Sequence, residues 1–271
     1  MGNRIKKAVI PAAGFGTRFL PITKVVPKEL LPVGSKPAIQ YVVEEAVASG
    51  IEEIILVCHP SKSTVIDYFK PDRDLNDFLE KRGKRKEIDE LKKIESLARF
   101  TVVTQKEPRG LGDAVLCARD AVAGEPFLVM LPDVLIADEI PETRRLIEDG
   151  PGGEWGILLE RVSRERVSSY GIIRGEEGER GVWTIRGAVE KPRPEEAPSD
   201  LAILGRYLFT PEIFGKIEKS GKGKLGEVQL TDAIDALAKT TTGKGIVCRG
   251  RIFDVGTPQG LIQAYQHFAR S

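Results

Sequence analysis

Cysteine and histidine are scarce in this chain, and each shortage closes off a class of chemistry. Among 271 residues there are three cysteines and two histidines. Cys58, Cys117 and Cys248 stand far apart, form no Cys-x-x-Cys pair, and only Cys58, beside His59, adjoins a histidine. An odd, scattered set is neither a disulfide framework nor a zinc-ligand pattern. Together with the want of a leader-like segment, it predicts reduced thiols and a cytoplasmic protein. No apolar run approaches the roughly 18 residues of a membrane helix, so no membrane span is expected. Neither sign of charge is in excess: 41 Lys+Arg against 40 Asp+Glu leave +1, a balance that calls for no nucleic acid or acidic membrane as partner. Gly-x-Ser-x-Gly, the nucleophile elbow of many hydrolases, is missing.

The chain does have a glycine loop directly behind an apolar run. Ala8-Val9-Ile10 predicts a buried strand that delivers Pro11-Ala12-Ala13-Gly14-Phe15-Gly16-Thr17-Arg18 to the carboxyl edge of a parallel sheet, where α/β proteins bind ligands. Small residues let a flat ligand and its phosphates approach main-chain N–H groups. Arg18 and Lys28 add fixed positive charge. Two familiar phosphate loops are excluded. The dinucleotide fingerprint needs a third glycine where Phe19 stands, and the ATP-type loop needs Gly-Lys-Ser/Thr where the chain has Gly16-Thr17-Arg18.

Past the loop, Ile39, Val42, Val43, Ala46 and Val47 recur at helical spacing up to Gly50, and 54–57 predicts a second buried strand. Strand, helix and strand make a right-handed crossover, the start of a doubly wound sheet. Residues 70–98 are strongly charged and predict a helical arm, interrupted near Gly83 and packed by one face. Its basic group at 81–86 alternates with acids and reads as a solvated face. Strands follow at 101–104 and 127–131, with a second glycine loop, Gly110-Leu111-Gly112, opening a helix over 113–123. Runs at 156–162, 170–174, 182–189 and 202–209 come without long helices between them, so the region 155–210 predicts an antiparallel extension. Helices near 211–218 and 229–239, a strand pair at 245–248 and 251–253, and a closing helix with Leu261, Ile262, Tyr265 and Phe268 on one face complete a single domain over 1–271.

Asp133 and Asp254 each follow a buried strand. Brought to one sheet edge, two carboxylates make an oxygen site for Mg²⁺ completed by phosphate oxygens and water; singly, each is equally a turn cap. His59 reads as a loop residue. Gly221–Lys224 reads as a surface loop, and Thr231 and Asp232 as caps of the helix that follows.

The spaced string Ala13-Gly14-x-Gly16-Thr17-Arg18, Pro21, Lys24, Pro27-Lys28, Leu31-Pro32 and Lys36-Pro37 resembles the signature of sugar-1-phosphate nucleotidyltransferases. Leu131-Pro132-Asp133-Val134 and Phe253-Asp254-Val255-Gly256-Thr257 resemble that family's metal segments, although Val134 departs from the polar residue many relatives carry. The arm resembles an insertion in the bacterial branch that uses UTP. The resemblance implies a Rossmann-like doubly wound mixed sheet of glycosyltransferase-A-like type, with helices on both faces. It implies uridylyl transfer from UTP to α-D-glucose 1-phosphate, giving UDP-glucose and pyrophosphate with Mg²⁺. It assigns nucleotide binding to Ala12, Ala13, Gly14, Gly16, Thr17, Gln105 and Gly110, and sugar binding to Asp133, Tyr170, Gly171, Glu190, Lys191 and Gly205. Catalysis falls to Arg18, Lys28 and Lys191, the metal to Asp133 and Asp254. An ion-paired turn is the other reading of Glu190-Lys191. Thymidylyl transfer and a nucleotide-sugar-binding regulator without turnover stay open. A homo-oligomer, dimer or tetramer, is expected, with the closing helix offering a surface.

Overall fold

Alternation in the first strand decides the layering. The structure is a computed structural model that describes residues 5–149, 155–221 and 226–269. In the strand Lys7–Pro11 (β1), Ala8 and Ile10 enter one apolar cluster and Val9 another, all with no exposed surface. A strand buried on both sides belongs inside a covered sheet. The further strands are Pro32–Val33 (β2), Lys36–Pro37 (β3), Glu53–Cys58 (β4), Arg99–Thr104 (β5), Phe127–Met130 (β6), Val134–Ala137 (β7), Trp155–Arg161 (β8), Gly171–Glu177 (β9), Val182–Glu190 (β10), Leu201–Phe209 (β11), Gly243–Val247 (β12) and Arg251–Asp254 (β13).

The main sheet runs β5-β4-β1-β6-β11-β8-β12-β10-β9. β1, β4, β5 and β6 are mutually parallel, and the chain builds outward from β1 through β4 to β5 before returning to set β6 on the other side of β1. Strand order reverses there, opening a crevice beyond the carboxyl ends of β1 and β6. The helix Ala38–Ala48 covers one face through Ile39, Val42, Val43 and Ala46, while Leu111–Cys117, Glu212–Ser220 and Leu230–Ala238 cover the other. The expected mixed, doubly wound α/β fold is thus present.

The second half is mostly antiparallel, with β11 against β6 and β8, and β10 against β9. Three expectations need correction. The segments expected to pair with each other near 245–248 and 251–253 do not: β12 enters the main sheet between β8 and β10, and β13 pairs with β7. Glycine is the reason, since a Cβ on Gly243 would lie 2.2 Å from the ring of buried Trp155, and one on Gly245 2.5 Å from Leu159. The helix expected over 113–123 starts earlier and breaks in two, Leu111–Cys117 and Arg119–Val122. In the arm, Arg73–Lys81 and Arg85–Glu95 are separated at Gly83 as expected, yet only the second buries a residue, Ile88; Leu75 and Phe78 face solvent.

The closing helix Pro258–Phe268 also divides its apolar residues. Ala264 is buried and Leu261 and Phe268 pack on the core, but Ile262 and Tyr265 are exposed. Lys222–Lys224, expected as a surface loop, lie outside the described residues. No helix among the described residues is long and apolar enough to cross a membrane.

Candidate active site

Two loops meet across the crevice, one after β1 and one after β6. The first turns at Gly16, whose φ is +65°; a Cβ there would sit 3.1 Å from Lys28 Cβ. Glycine therefore lets the short 3-10 turn Lys28–Leu30 lie against the loop. At Gly14 a Cβ would find nothing within 4 Å among the described residues, so the backbone borders open space there. From the other side, Lys28 Nζ donates to Asp133 Oδ2. Burial disfavours the Lys28 ammonium, but Asp133 overrides it and holds its pKa above the ordinary value. Burial likewise works to raise the Asp133 carboxyl, and Lys28 holds it below the usual carboxylate range.

Asp254 reaches the same corner because β13 lies antiparallel to β7, with Asp254 opposite Val134. The Val255 N–H donates to the Asp133 carbonyl at 2.8 Å. A Cβ on Gly256 would stand 3.0 Å from both Asp133 Oδ2 and Asp254 Oδ1, so the carboxylates flank a gap that only glycine leaves free. Burial and then repulsion from Asp133 push the Asp254 carboxyl up. Arg18 Nη1 lies 3.5 Å from the Gly256 carbonyl, and its charge acts on both aspartates. Among the described residues no cluster of three or more His, Cys, Asp or Glu could hold a metal. The pair fits a hard divalent cation that takes its remaining oxygens from elsewhere: two carboxylate donors, mutual repulsion in need of a counter-charge, and a gap a side chain would fill.

Two cavities share this corner. One, about 300 Å³, is lined by Ala13, Gly14, Lys28, Gln105, Gly110 and Asp133 among others. The second, about 410 Å³, is lined by Asp133, Glu160, Arg166, Tyr170, Gly205 and Asp254 among others. Leu131 and Asp133 line both, so the cavities adjoin through them.

In the first cavity, Gln105 is buried, and its amide nitrogen donates to Asp113 Oδ2 at 2.7 Å. A carboxylate only accepts, so the amide orientation is fixed and the carbonyl oxygen is the group left for a ligand. Gly110 has φ +107°, and a Cβ would meet the Val228 carbonyl at 2.7 Å. Ala12 is fully buried, and Thr17 faces a different cavity, of about 640 Å³, beside Lys24 and Lys62.

Gly171, Glu190 and Lys191 line neither adjoining cavity. They form one cluster: the Lys191 N–H donates to the Tyr170 carbonyl at 2.9 Å, Lys191 Nζ is 3.2 Å from Glu190 Oε1, and a Cβ on Gly171 would strike Thr231 Oγ1 at 2.7 Å. The ion-paired turn is therefore real, yet Lys191 holds φ +45°, a conformation costly outside glycine that persists where the surroundings impose it. Gly205, at φ +84°, sits where β11 loses register against β8, and a Cβ would meet Leu131 at 2.8 Å.

One residue was misread in the sequence, and two escaped it. Thr231 does not cap its helix; the cap residue is Gln229, and the Thr231 hydroxyl donates to Glu190 Oε2 at 2.6 Å. Arg206 has no exposed surface. It sets Nε and Nη2 on the two Glu45 oxygens, at 3.2 and 2.7 Å, and donates to the carbonyls of Leu131 and Val134, at 3.1 and 2.8 Å, on either side of Asp133. A charged residue inside the all-buried run Leu201–Phe209 was the signal available. Lys62 is similarly buried beneath the glycine loop. His59, expected as a loop residue, caps a 3-10 turn by accepting from the Ser61 N–H at 3.2 Å. The three cysteines are free; burial pushes the Cys58 thiol up to about 11 and the Cys248 thiol up to about 12, so neither is a ready nucleophile.

The model of a family described as Nucleotidyl transferase matches residues 7–271. A UTP–glucose-1-phosphate uridylyltransferase of Bacillus subtilis (strain 168) is 44% identical over 268 residues, covering 98% of this chain and 92% of the relative. One of Streptococcus pneumoniae serotype 4 (strain ATCC BAA-334 / TIGR4) is 46% identical over 277 residues, covering 99% and 92%. A crystal structure of UDP-glucose pyrophosphorylase complexed with UDP-glucose superposes with a TM-score of 0.87 at 39% identity, covering 98% of this chain and 99% of that one.

Proposed function

The chain belongs to the nucleotidyl transferase family, and from that premise we propose that it transfers a uridylyl group from UTP to α-D-glucose 1-phosphate, giving UDP-glucose and pyrophosphate. The observation that carries the reading is the pair of cavities joined at Asp133. A nucleotide on the glycine-loop side and a sugar phosphate on the other would meet at the corner that holds Lys28, Asp254 and Arg18. The names of the similar proteins supply the substrates.

The acceptor is a phosphate already ionised at neutral pH, so neither a nucleophilic side chain nor a general base is required. That suits a corner built of cations and carboxylates. Gly14 and Ala13 leave room for the base and ribose, and the Gln105 carbonyl oxygen is placed to accept from an imide N–H. Glu190, steadied by Thr231, accepts from sugar hydroxyls, and Lys191 swings from Glu190 to the sugar phosphate. Arg18 and Lys28 stabilise the departing pyrophosphate, so the protein's contribution is alignment and charge neutralisation. Asp133 and Asp254 would hold a Mg²⁺ ion, which would supply further charge neutralisation at the phosphates. The curated relatives are named transferases, which favours turnover over a regulator that only binds a nucleotide sugar.

The test is pyrophosphate release from UTP with glucose 1-phosphate, with dTTP in a parallel arm and with metal removed by chelation and restored as Mg²⁺. The expected outcome is release with UTP exceeding that with dTTP, abolished by the chelator and recovered with Mg²⁺. A preference for dTTP would replace uridylyl by thymidylyl transfer, and no release from either would sink the enzyme reading.

A further inference from the structure

Lys62 closes the 3-10 turn Pro60–Lys62 just beyond β4, and it is one of the few charged side chains here that is almost wholly buried, at 6% exposure. Its single ammonium reaches three acceptors: the Ala12 carbonyl at 3.1 Å, the Gly14 carbonyl, and Glu29 Oε2 at 2.9 Å. Glu29 directly follows Lys28 in the same 3-10 turn and is 2% exposed. One charge thus ties the glycine loop to the segment that carries Lys28. In a trans peptide the C=O of one residue and the N–H of the next point in opposite directions. Holding the Ala12 and Gly14 oxygens therefore turns the Ala13 and Phe15 N–H groups away from Lys62. Among the described residues, no protein acceptor is bonded to the N–H of Ala13, Gly14 or Phe15.

We propose that Lys62 is a positioning residue for the nucleotide, fixing the loop so that its unspent N–H groups face the phosphates and keeping Lys28 in register with them. This rests on the nucleotide reading of the loop. Neutralising Glu29 is the alternative role. Burial pushes the Glu29 carboxyl up while Lys62 and then Lys28 pull it down, so an ion pair alone would explain a lysine here.

The two roles separate in a comparison of Glu29→Gln with the double variant Lys62→Met/Glu29→Gln. Both remove the buried carboxylate, and only the second releases the carbonyls. The expected result is a double variant that folds with a Tm close to that of Glu29→Gln but whose KM for UTP is about 10-fold higher, with kcat reduced and KM for glucose 1-phosphate within about 2-fold. Equal kinetics in the two variants would overturn the proposal and leave Lys62 a counter-ion. Lys62→Arg gives the same split in a fully charged protein, because a planar guanidinium cannot place one nitrogen on three acceptors; a wild-type KM for UTP there would also overturn it. Wild-type pyrophosphate release, measured alongside, keeps the two readings apart. An inactive wild type fails the uridylyl reading, whereas an active wild type with indistinguishable variants fails Lys62.

Discussion

Two buried cations hold the two loops of this site, and they are satisfied in different ways. Arg206, behind the loop after β6, uses a planar fork to meet both oxygens of Glu45 and two carbonyls beside Asp133. Lys62, beneath the loop after β1, divides one ammonium among two carbonyls and one oxygen of Glu29, and Glu29 Oε1 stays buried with no partner among the described residues. Four contacts of the guanidinium close its buried set, whereas the three protons of the ammonium leave one of the four acceptors around it over. The Asp133 side is thus a closed network that fixes a carboxylate. The glycine-loop side keeps unspent donors and an unspent acceptor next to the smaller cavity, as suits the side that must still receive a ligand.

The largest expected effect breaks the closed network. Arg206→Met leaves the Glu45 carboxylate and two carbonyls without their partner, a loss of about 3–5 kcal/mol in denaturant unfolding. Arg206→Lys should recover little of it, since a point charge cannot reproduce the fork. A variant within about 1 kcal/mol of wild type, on the order of a surface change, would show that Arg206 does not hold the Asp133 segment.

Smaller effects come from the glycines on the open side. Gly110→Ala meets the Val228 carbonyl at 2.7 Å with φ at +107° and should lose about 1–3 kcal/mol of stability. Gly14→Ala meets nothing within 4 Å, so stability should change by less than about 0.5 kcal/mol while KM for UTP rises. Unfolding curves and substrate titrations on the two variants check the contrast. Equal destabilisation, or Gly14→Ala with unaltered UTP kinetics, would mean that the space beside Gly14 is not the ligand's.

How much of this was legible in the sequence follows the range of the interactions. The strands before Pro11 and Asp133, the helix Ala38–Ala48 and the break at Gly83 rest on local period and backbone preference, and the sequence carries those directly. The placement of β12 depends on Trp155 finding Gly243 across the sheet, which no local window contains. Thr231 read as a cap because its position after Gln229 suited one; its partner Glu190 is distant in sequence. No local feature of the sequence sets Lys62 apart from the other lysines, and only the close approach of the glycine loop to the end of β4 makes it the cation on which that loop rests.

The central claim is direct transfer of uridylyl between two ligands that meet at Asp133, with no covalent stage on the protein. It is tested by exchange of labelled pyrophosphate into UTP, with and without sugar substrate. The account predicts exchange when UDP-glucose or glucose 1-phosphate is present and none when the enzyme holds only UTP, labelled pyrophosphate and Mg²⁺. Exchange in the absence of any sugar phosphate would mean that a protein group takes the uridylyl first, and would contradict it.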